Sequence, residues 1–248
     1  MKYEPRIYRN DMNEGRFKYF NVTVEETDLQ IGVNADEYDD SISAQALQLV
    51  MLLRSQLKNY ILLHQEFLTS HWPVEDDEQA PEIARLMIKR SVAAEVGPMA
   101  AVAGAFSATI GTQLCAQFGL SELIVENGGD LWIKTEKPVT VRIDAGPSCL
   151  SGLIGIEIQP EQTPCGICTS SGSAGHSFSY GKADAVTVVS ECAITADAWA
   201  TSLCNRIQET ADLQKTTSLS QLFPEISGVV AILRDVVAAS GNITLQRL

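Results

Sequence analysis

Residues 185–203 constrain this chain more than any other stretch. Ala185-Val186-Thr187-Val188-Val189 reads as a buried strand, and after Ser190-Glu191-Cys192 it feeds a helix through Ala193-Ile194-Thr195-Ala196-Asp197-Ala198-Trp199-Ala200-Thr201-Ser202-Leu203. Asp197 and Thr201 stand four apart, so both oxygens project from one face near the helix N-terminus. Carboxylate beside hydroxyl is what a hard cation such as Mg2+ takes, completed by a carbonyl, water or phosphate. The same residues also suit a purely structural role, with Asp197 favouring the positive end of the helix dipole and Thr201 back-bonding to the helix. Both readings stand at this point.

Around that segment the elements alternate irregularly. Phe17-Lys18-Tyr19-Phe20-Asn21-Val22-Thr23-Val24 opens a hairpin arm running to Val33, with Glu25-Glu26-Thr27-Asp28 as its turn. Ile42, Ala46, Leu49, Val50, Leu53, Leu57, Ile61 and Leu68 predict one long helix over 42–70, capped by Asp40-Ser41 and stopped before Pro73. Beyond the acidic connector 74–80, Pro81 begins a short helix, and Pro98 a third one ending at Gly119. Its Ala100, Ala103, Gly104, Ser107, Ala108 and Gly111 are small enough to let another backbone or a ligand come close. Strands follow at 122–125, 130–133, 139–143, 153–158 and 185–189, then a helix from about Thr195 to Ala211 and one or two strands in the tail. This order predicts an α+β fold of largely antiparallel sheets with packed helices, in one domain over 1–248. Its parts are an arm and long helix at 1–73, a core at 81–211 and C-terminal strands at 212–248.

Composition narrows the partners. Eighteen Lys+Arg against 31 Asp+Glu leave a net charge of −13, which argues against nucleic acid and against an anionic membrane surface. The N-terminus has no apolar export segment, no stretch gives about 20 uninterrupted apolar residues, and the chain reads as cytoplasmic. Its six cysteines are then expected to be thiols unless a metal or redox role claims them.

Two more segments carry possible chemistry. Asn127-Gly128-Gly129-Asp130 is a paired-glycine turn between strands, either a tight turn alone or a place where a planar ring or phosphate approaches the backbone. Cys165-Gly166-Ile167-Cys168-Thr169-Ser170-Ser171-Gly172 leads to His176, and its small and hydroxyl residues would expose N–H groups to phosphate oxygens or form a plain flexible loop. Cys165 and Cys168 have the spacing of half a zinc site, but no second such pair exists, leaving a redox or sulfur-relay role or ordinary thiols. His64 and His71 are read as helix-end residues.

Taken in order, these pieces resemble the ApbE-like superfamily, whose best-known members are Mg2+-dependent FAD:protein FMN transferases. The segment 96–104 sits where that family has its Gly-Gly-Ile-Ala-Lys-Gly helix start, and Asn127-Gly128-Gly129-Asp130 resembles its Gly-Gly-Asp/Asn turn. Thr169-Ser170-Ser171-Gly172 is similar to its Thr-Ser-Gly loop, and Asp197-Ala198-x-x-Thr201 to its metal motif. The resemblance spans roughly 92–207 and implies a T-fold-like ApbE architecture. It also implies Mg2+ on Asp197, Thr201 and a carbonyl near Ala100, with FAD or FMN bordered by Asn127, Gly128 and Gly129 and by Thr169, Ser170, Ser171 and Gly172. Two departures stand out: Ala101 replaces the family's lysine, and His176-Ser177-Phe178-Ser179-Tyr180-Gly181 stands in place of the transferases' His-x-x-Asp-Pro-x-Thr-Gly. The whole chain is similar to an ApbE-related family of archaea and anaerobic bacteria, linked to sulfide assimilation and homocysteine synthesis.

Three functions follow as expectations. The first is Mg2+-dependent phosphoryl or nucleotidyl transfer from a flavin nucleotide or another small phosphorylated ligand, with His176 and Asp130 as candidate acid–base residues and Asp144 behind them. The second is an accessory role with a sulfur-pathway protein partner, using Cys165 and Cys168. The third is a non-catalytic homo-oligomer packed through the small-residue helix.

Overall fold

Strands that are apolar on both faces need cover on both sides. The computed structural model, which describes residues 15–172 and 179–248, provides that cover in three layers. In chain order its strands are β1 (Phe17–Val24), β2 (Thr27–Asn34), β3 (Leu123–Asn127), β4 (Asp130–Lys134), β5 (Val139–Arg142), β6 (Ile154–Ile158), β7 (Cys165–Ser170), β8 (Ala185–Ser190), β9 (Gly228–Leu233), β10 (Val236–Gly241) and β11 (Thr244–Arg247). The middle layer is an eight-stranded antiparallel sheet ordered β1-β2-β3-β4-β7-β8-β9-β10, and a three-stranded sheet, β11-β6-β5, lies on one side of it. Ile156 and Ile158 of the small sheet pack with Ile133, Ile167, Val189 and Ile232 of the large one. Alternation sends Trp132, Cys168, Val186, Val188, Val229 and Ala231 to the other side, into a core shared with the helices.

The helices are α1 (Asp40–Leu63), α2 (Gln65–Thr69), α3 (Glu82–Ala94), α4 (Val102–Phe118), α5 (Ala193–Asn205) and α6 (Ala211–Ser218). Every residue of α5 from Ala193 to Cys204 is buried, which explains the near absence of charge in that stretch. Its close seat on the sheet depends on Gly166, where a Cβ would lie 2.1 Å from the Ala193 Cα. Helix α4 approaches as the small residues predict: a Cβ on Gly111 would meet the Trp132 ring at 2.2 Å, and one on Gly104 the Ala193 carbonyl oxygen at 2.3 Å. Among the described residues Pro98–Phe118 is the one helical stretch long and apolar enough to cross a membrane, and here it packs in the core.

Several expectations need correction. The helix predicted over 42–70 breaks at His64 (φ −129°, ψ 71°), whose ring stacks on Tyr60 at 4.2 Å while α2 turns to bury Phe67. The first hairpin turns through Glu25-Glu26 alone, with Glu25 at φ +53°, so Thr27 and Asp28 already belong to β2. The helix expected to reach Ala211 ends at Asn205, and α6 and β10 are additional elements. Most important, Cys165–Ser170 is not a loop but the central strand β7, paired on both edges to β4 and β8.

The Gly166 contact yields a test. Gly166→Ala sets a methyl against backbone that cannot move alone, so it should cost about 3 kcal/mol or more in urea unfolding. Gly119→Ala, at φ +70° but with nothing within 4 Å, should cost only about 1–2 kcal/mol. Equal losses at the two positions would contradict the packing described.

Candidate functional site

Three elements meet where α5 crosses the large sheet. In the β4–β7 register Asp130 is opposite Cys168, and alternation places both with Trp132 on the helix side. The β3–β4 turn is a two-residue one, with Gly128 at φ +68° and Gly129 at φ +99°, values that call for glycine. It brings Asn127 to the start of α4, where its side-chain amide donates to the Ala103 carbonyl oxygen at 3.3 Å. Glu126, buried behind the turn, accepts the Gly129 N–H at 2.9 Å. The third element is α5, which presents Asp197 and, one turn later, Thr201, both nearly buried.

Asp197 does more than favour its own helix. Its Oδ2 accepts the Gly104 N–H at 2.8 Å, and the Ala103 N–H also reaches the carboxylate. Ala101, the residue before α4, has no capping side chain, so a carboxylate from a distant segment caps that helix. Close contact at Gly104 permits this, since its missing Cβ would also meet the Asp197 Cβ at 2.8 Å. Asp130 Oδ1 accepts the Thr169 N–H at 3.2 Å, and the Cys168 thiol donates to the Ala193 carbonyl oxygen at 3.3 Å.

Two carboxylates are therefore buried side by side. Among the described residues the ion pairs involve Glu25, Glu26, Asp77, Glu95 and Glu122, and neither Asp130 nor Asp197 has a Lys, Arg or His partner. Burial pushes the Asp197 carboxyl up to about 7, against the downward pull of the two N–H donors. Burial also holds Asp130 well above the ordinary carboxylate range, and the neighbouring Asp197 charge adds to the rise. At neutral pH the corner thus accepts one negative charge far more readily than two.

The other predicted residues are distributed as follows. Ala100 lies half-buried in a 3-10 turn, Pro98–Ala101, that packs on α5 beside this corner. Thr169 points its hydroxyl to Thr187 at 2.8 Å on the far face of the sheet, and Ser170 is buried on the helix side with no partner for its Oγ. The Gly172 N–H donates to the Ala183 carbonyl oxygen at 2.9 Å. Most N–H groups expected to cradle phosphate are thus spent in the sheet ladder and its exit. Cys165 and Cys168 face opposite sides of β7, Cys165 in the core under the small sheet and Cys168 in the helix core. Burial raises the Cys165 thiol to about 12; for Cys168 burial and the two carboxylates act in the same direction. The two thiols do not meet across the strand. Asp144 accepts the Gly146 N–H and the Ser151 hydroxyl in a turn beyond β5, outside this corner. His176 lies outside the described residues. Sequence reasoning missed Cys168 as the neighbour of Asp130, and the N–H groups of Ala103 and Gly104 as partners of Asp197.

A family model described as AbpE bacteria matches residues 9–225. The chain belongs to that family. Its relatives include the UPF0280 proteins of Methanocaldococcus jannaschii, 35% identical over 227 residues and covering 90% of both chains, and of Methanopyrus kandleri, 41% identical over 229 residues and covering 89% of both. Among solved structures it is similar to the Pseudomonas stutzeri flavinyl transferase ApbE in its apo form, with a TM-score of 0.59 at 13% identity, covering 92% of this chain and 96% of that one. The flavin transferase ApbE from Vibrio cholerae gives 0.56 at 14%, covering 91% and 97%. Likeness at that identity establishes a shared fold, so this AbpE-family chain has the ApbE-like α+β architecture that its motifs imply.

The raised carboxyl has a consequence for stability. A carboxyl whose folded value exceeds its unfolded one keeps its proton better when folded, so its contribution is full below the ordinary 3.8 and is lost as pH rises through about 7. Relative to Asp197→Asn, which keeps an acceptor for Gly104 without the charge, metal-free wild type should lose a few kcal/mol between pH 4 and pH 8. Urea unfolding of both proteins across that range checks it. A pH-independent difference would contradict the buried charge.

Proposed function

We propose that this corner binds a flavin nucleotide together with Mg2+, and that the chain works as a flavin-transferase-like member of the ApbE group. The observation that carries the reading is the pair of buried carboxylates without a cationic side chain beside them. Such a pair costs free energy as it stands, and a divalent cation removes the cost. The available donors are all oxygen, as Mg2+ requires: the Asp197 carboxylate, the Thr201 hydroxyl and main-chain carbonyls around Ala100. When bound, Mg2+ would neutralise charge on a pyrophosphate.

The chain's own residues supply position. Ala103 and Gly104 fix the Asp197 carboxylate, which limits how it can turn toward a ligand. Asn127 ties the glycine turn to the same helix end, and beside Gly129 the backbone opens on space, with nothing within 4 Å of where a Cβ would be. That opening suits a ligand lying along Asn127, Gly128 and Gly129, with Ser170 as a further polar group on the α5 side. Asp130, whose proton is held more tightly by burial and by its neighbour, is the proton donor of the corner. Ala101 is fully buried where the transferases carry lysine, so anion neutralisation falls to the metal rather than to a side chain at that point.

Calorimetric titration of metal-free protein with FAD, with and without Mg2+, tests the reading. FAD should bind only in the presence of Mg2+, and Asp197→Asn should weaken that binding by about 100-fold while its unfolding transition stays cooperative. Equal FAD affinity with and without the metal, or in the variant, would overturn it.

A further inference from the structure

Beyond the carboxylate corner, the far end of α5 borders a second concavity. About 420 Å³ in volume, it lies between the residues that follow α5 and the turn joining β9 to β10. That volume is within the range of small-molecule sites. Lys182 and Arg234 both face it, and neither forms an ion pair with another described residue. In a chain of net charge −13, Lys182 and Arg234 balance the two carboxylates that share the lining, Asp184 and Glu209, so this cavity is formally neutral where the chain as a whole is acidic. The Thr210 hydroxyl and Gln208 side chain share the lining, and Gln208 is held by donating from Nε2 to the Tyr180 carbonyl oxygen at 2.9 Å.

Arg234 is held in place more firmly than a surface arginine needs to be. It sits at φ +59° in the tight turn, a conformation that glycine or asparagine adopts at lower cost. The Asp184 carboxylate, directly beneath, accepts the Arg234 N–H at 2.6 Å, and the Ser148 hydroxyl donates to its carbonyl oxygen. The backbone is thus tied from two sides, in a conformation costly for arginine, at a residue that lines the cavity. Lys182 is tied too, its N–H donating to the Ile207 carbonyl oxygen at 2.8 Å. Glu209 lines the same space as its second carboxylate, beside Asp184, which accepts the Arg234 N–H.

We propose that this cavity is a second ligand site, taking a small oxyanion that also carries a hydrogen-bond donor: Lys182 and Arg234 hold the anionic group, and Glu209 receives the donor. Guanidinium and ammonium groups on one oxyanion make short charge-assisted hydrogen bonds. The site is separate from the carboxylate corner. Asp197 and Asn205 alone are about 12 Å apart along α5, and the cavity begins beyond the helix end.

Amide spectra of 15N-labelled protein, titrated with inorganic phosphate and with O-phosphoserine, test the proposal. Both should give saturable shifts at Lys182, Thr210 and Arg234, with O-phosphoserine the tighter. Lys182→Ala and Arg234→Gly should each weaken binding about tenfold. The second replacement relieves the positive φ, and Lys182 is an exposed side chain, so both variants should fold. Glu209→Gln should abolish the preference for O-phosphoserine. Asp197→Asn should leave both affinities unchanged, which keeps this site's fate apart from that of the flavin reading. Unsaturable shifts with both probes, or affinities unaltered in the Lys182 and Arg234 variants, would overturn the site. Equal affinity for the two probes would overturn the role of Glu209.

Discussion

Burying Asp130 and Asp197 beside each other is the constraint on which the rest of this structure turns. Each carboxylate loses its water, and what replaces it is backbone: N–H groups of Ala103 and Gly104 for one, of Thr169 for the other. No side-chain cation shares the task among the described residues. Small residues make that geometry reachable. Without Gly166 the first turn of α5 could not sit on β7, and without Gly104 helix α4 could not bring its N-terminus to Asp197. The positive end of a helix dipole then faces the one charge that the corner most readily holds.

The three layers serve the same end. The small sheet covers the outer face of the large one, leaving the inner face free to take helices, and α5 lies there buried along nearly its whole length. A helix so placed cannot shift without disturbing strands on either side, so a carboxylate on it is fixed with respect to the β3–β4 turn. Rigid support of this kind is what a binding corner needs, and it is shared with the ApbE structures at the level of fold.

Much of this was legible in the sequence. Asp197 and Thr201 declare themselves because a spacing of four on a helix defines one face, and Gly128-Gly129 because few other residues accept that turn. The small residues of α4 announced close approach, and Gly104 and Gly111 bear it out at Ala193 and Trp132. What could not be read was pairing. β7 hides because it carries a glycine and leads into Ser170-Ser171-Gly172, residues whose local preference is for turns; it is a strand because β4 and β8 flank it. Once it is a strand, Cys165 and Cys168 must part to opposite faces, and Thr169 and Ser170 belong to its ladder, with Ser171 and Gly172 beyond its end. The break at His64 was hidden by apolar spacing that continues across it, and Asp130 was seen as a residue but not as the neighbour of Asp197, because only the fold joins them.

The most direct measurement is the number of protons released when Mg2+ binds, obtained by calorimetry at pH 6 in buffers of different ionisation enthalpy. With Asp197 raised to about 7 in the metal-free protein, close to one proton should leave for each Mg2+ bound, and the release should shrink by pH 9. Binding with no proton release at pH 6, or no Mg2+ binding at all, would contradict a cation site built on a buried carboxylate pair.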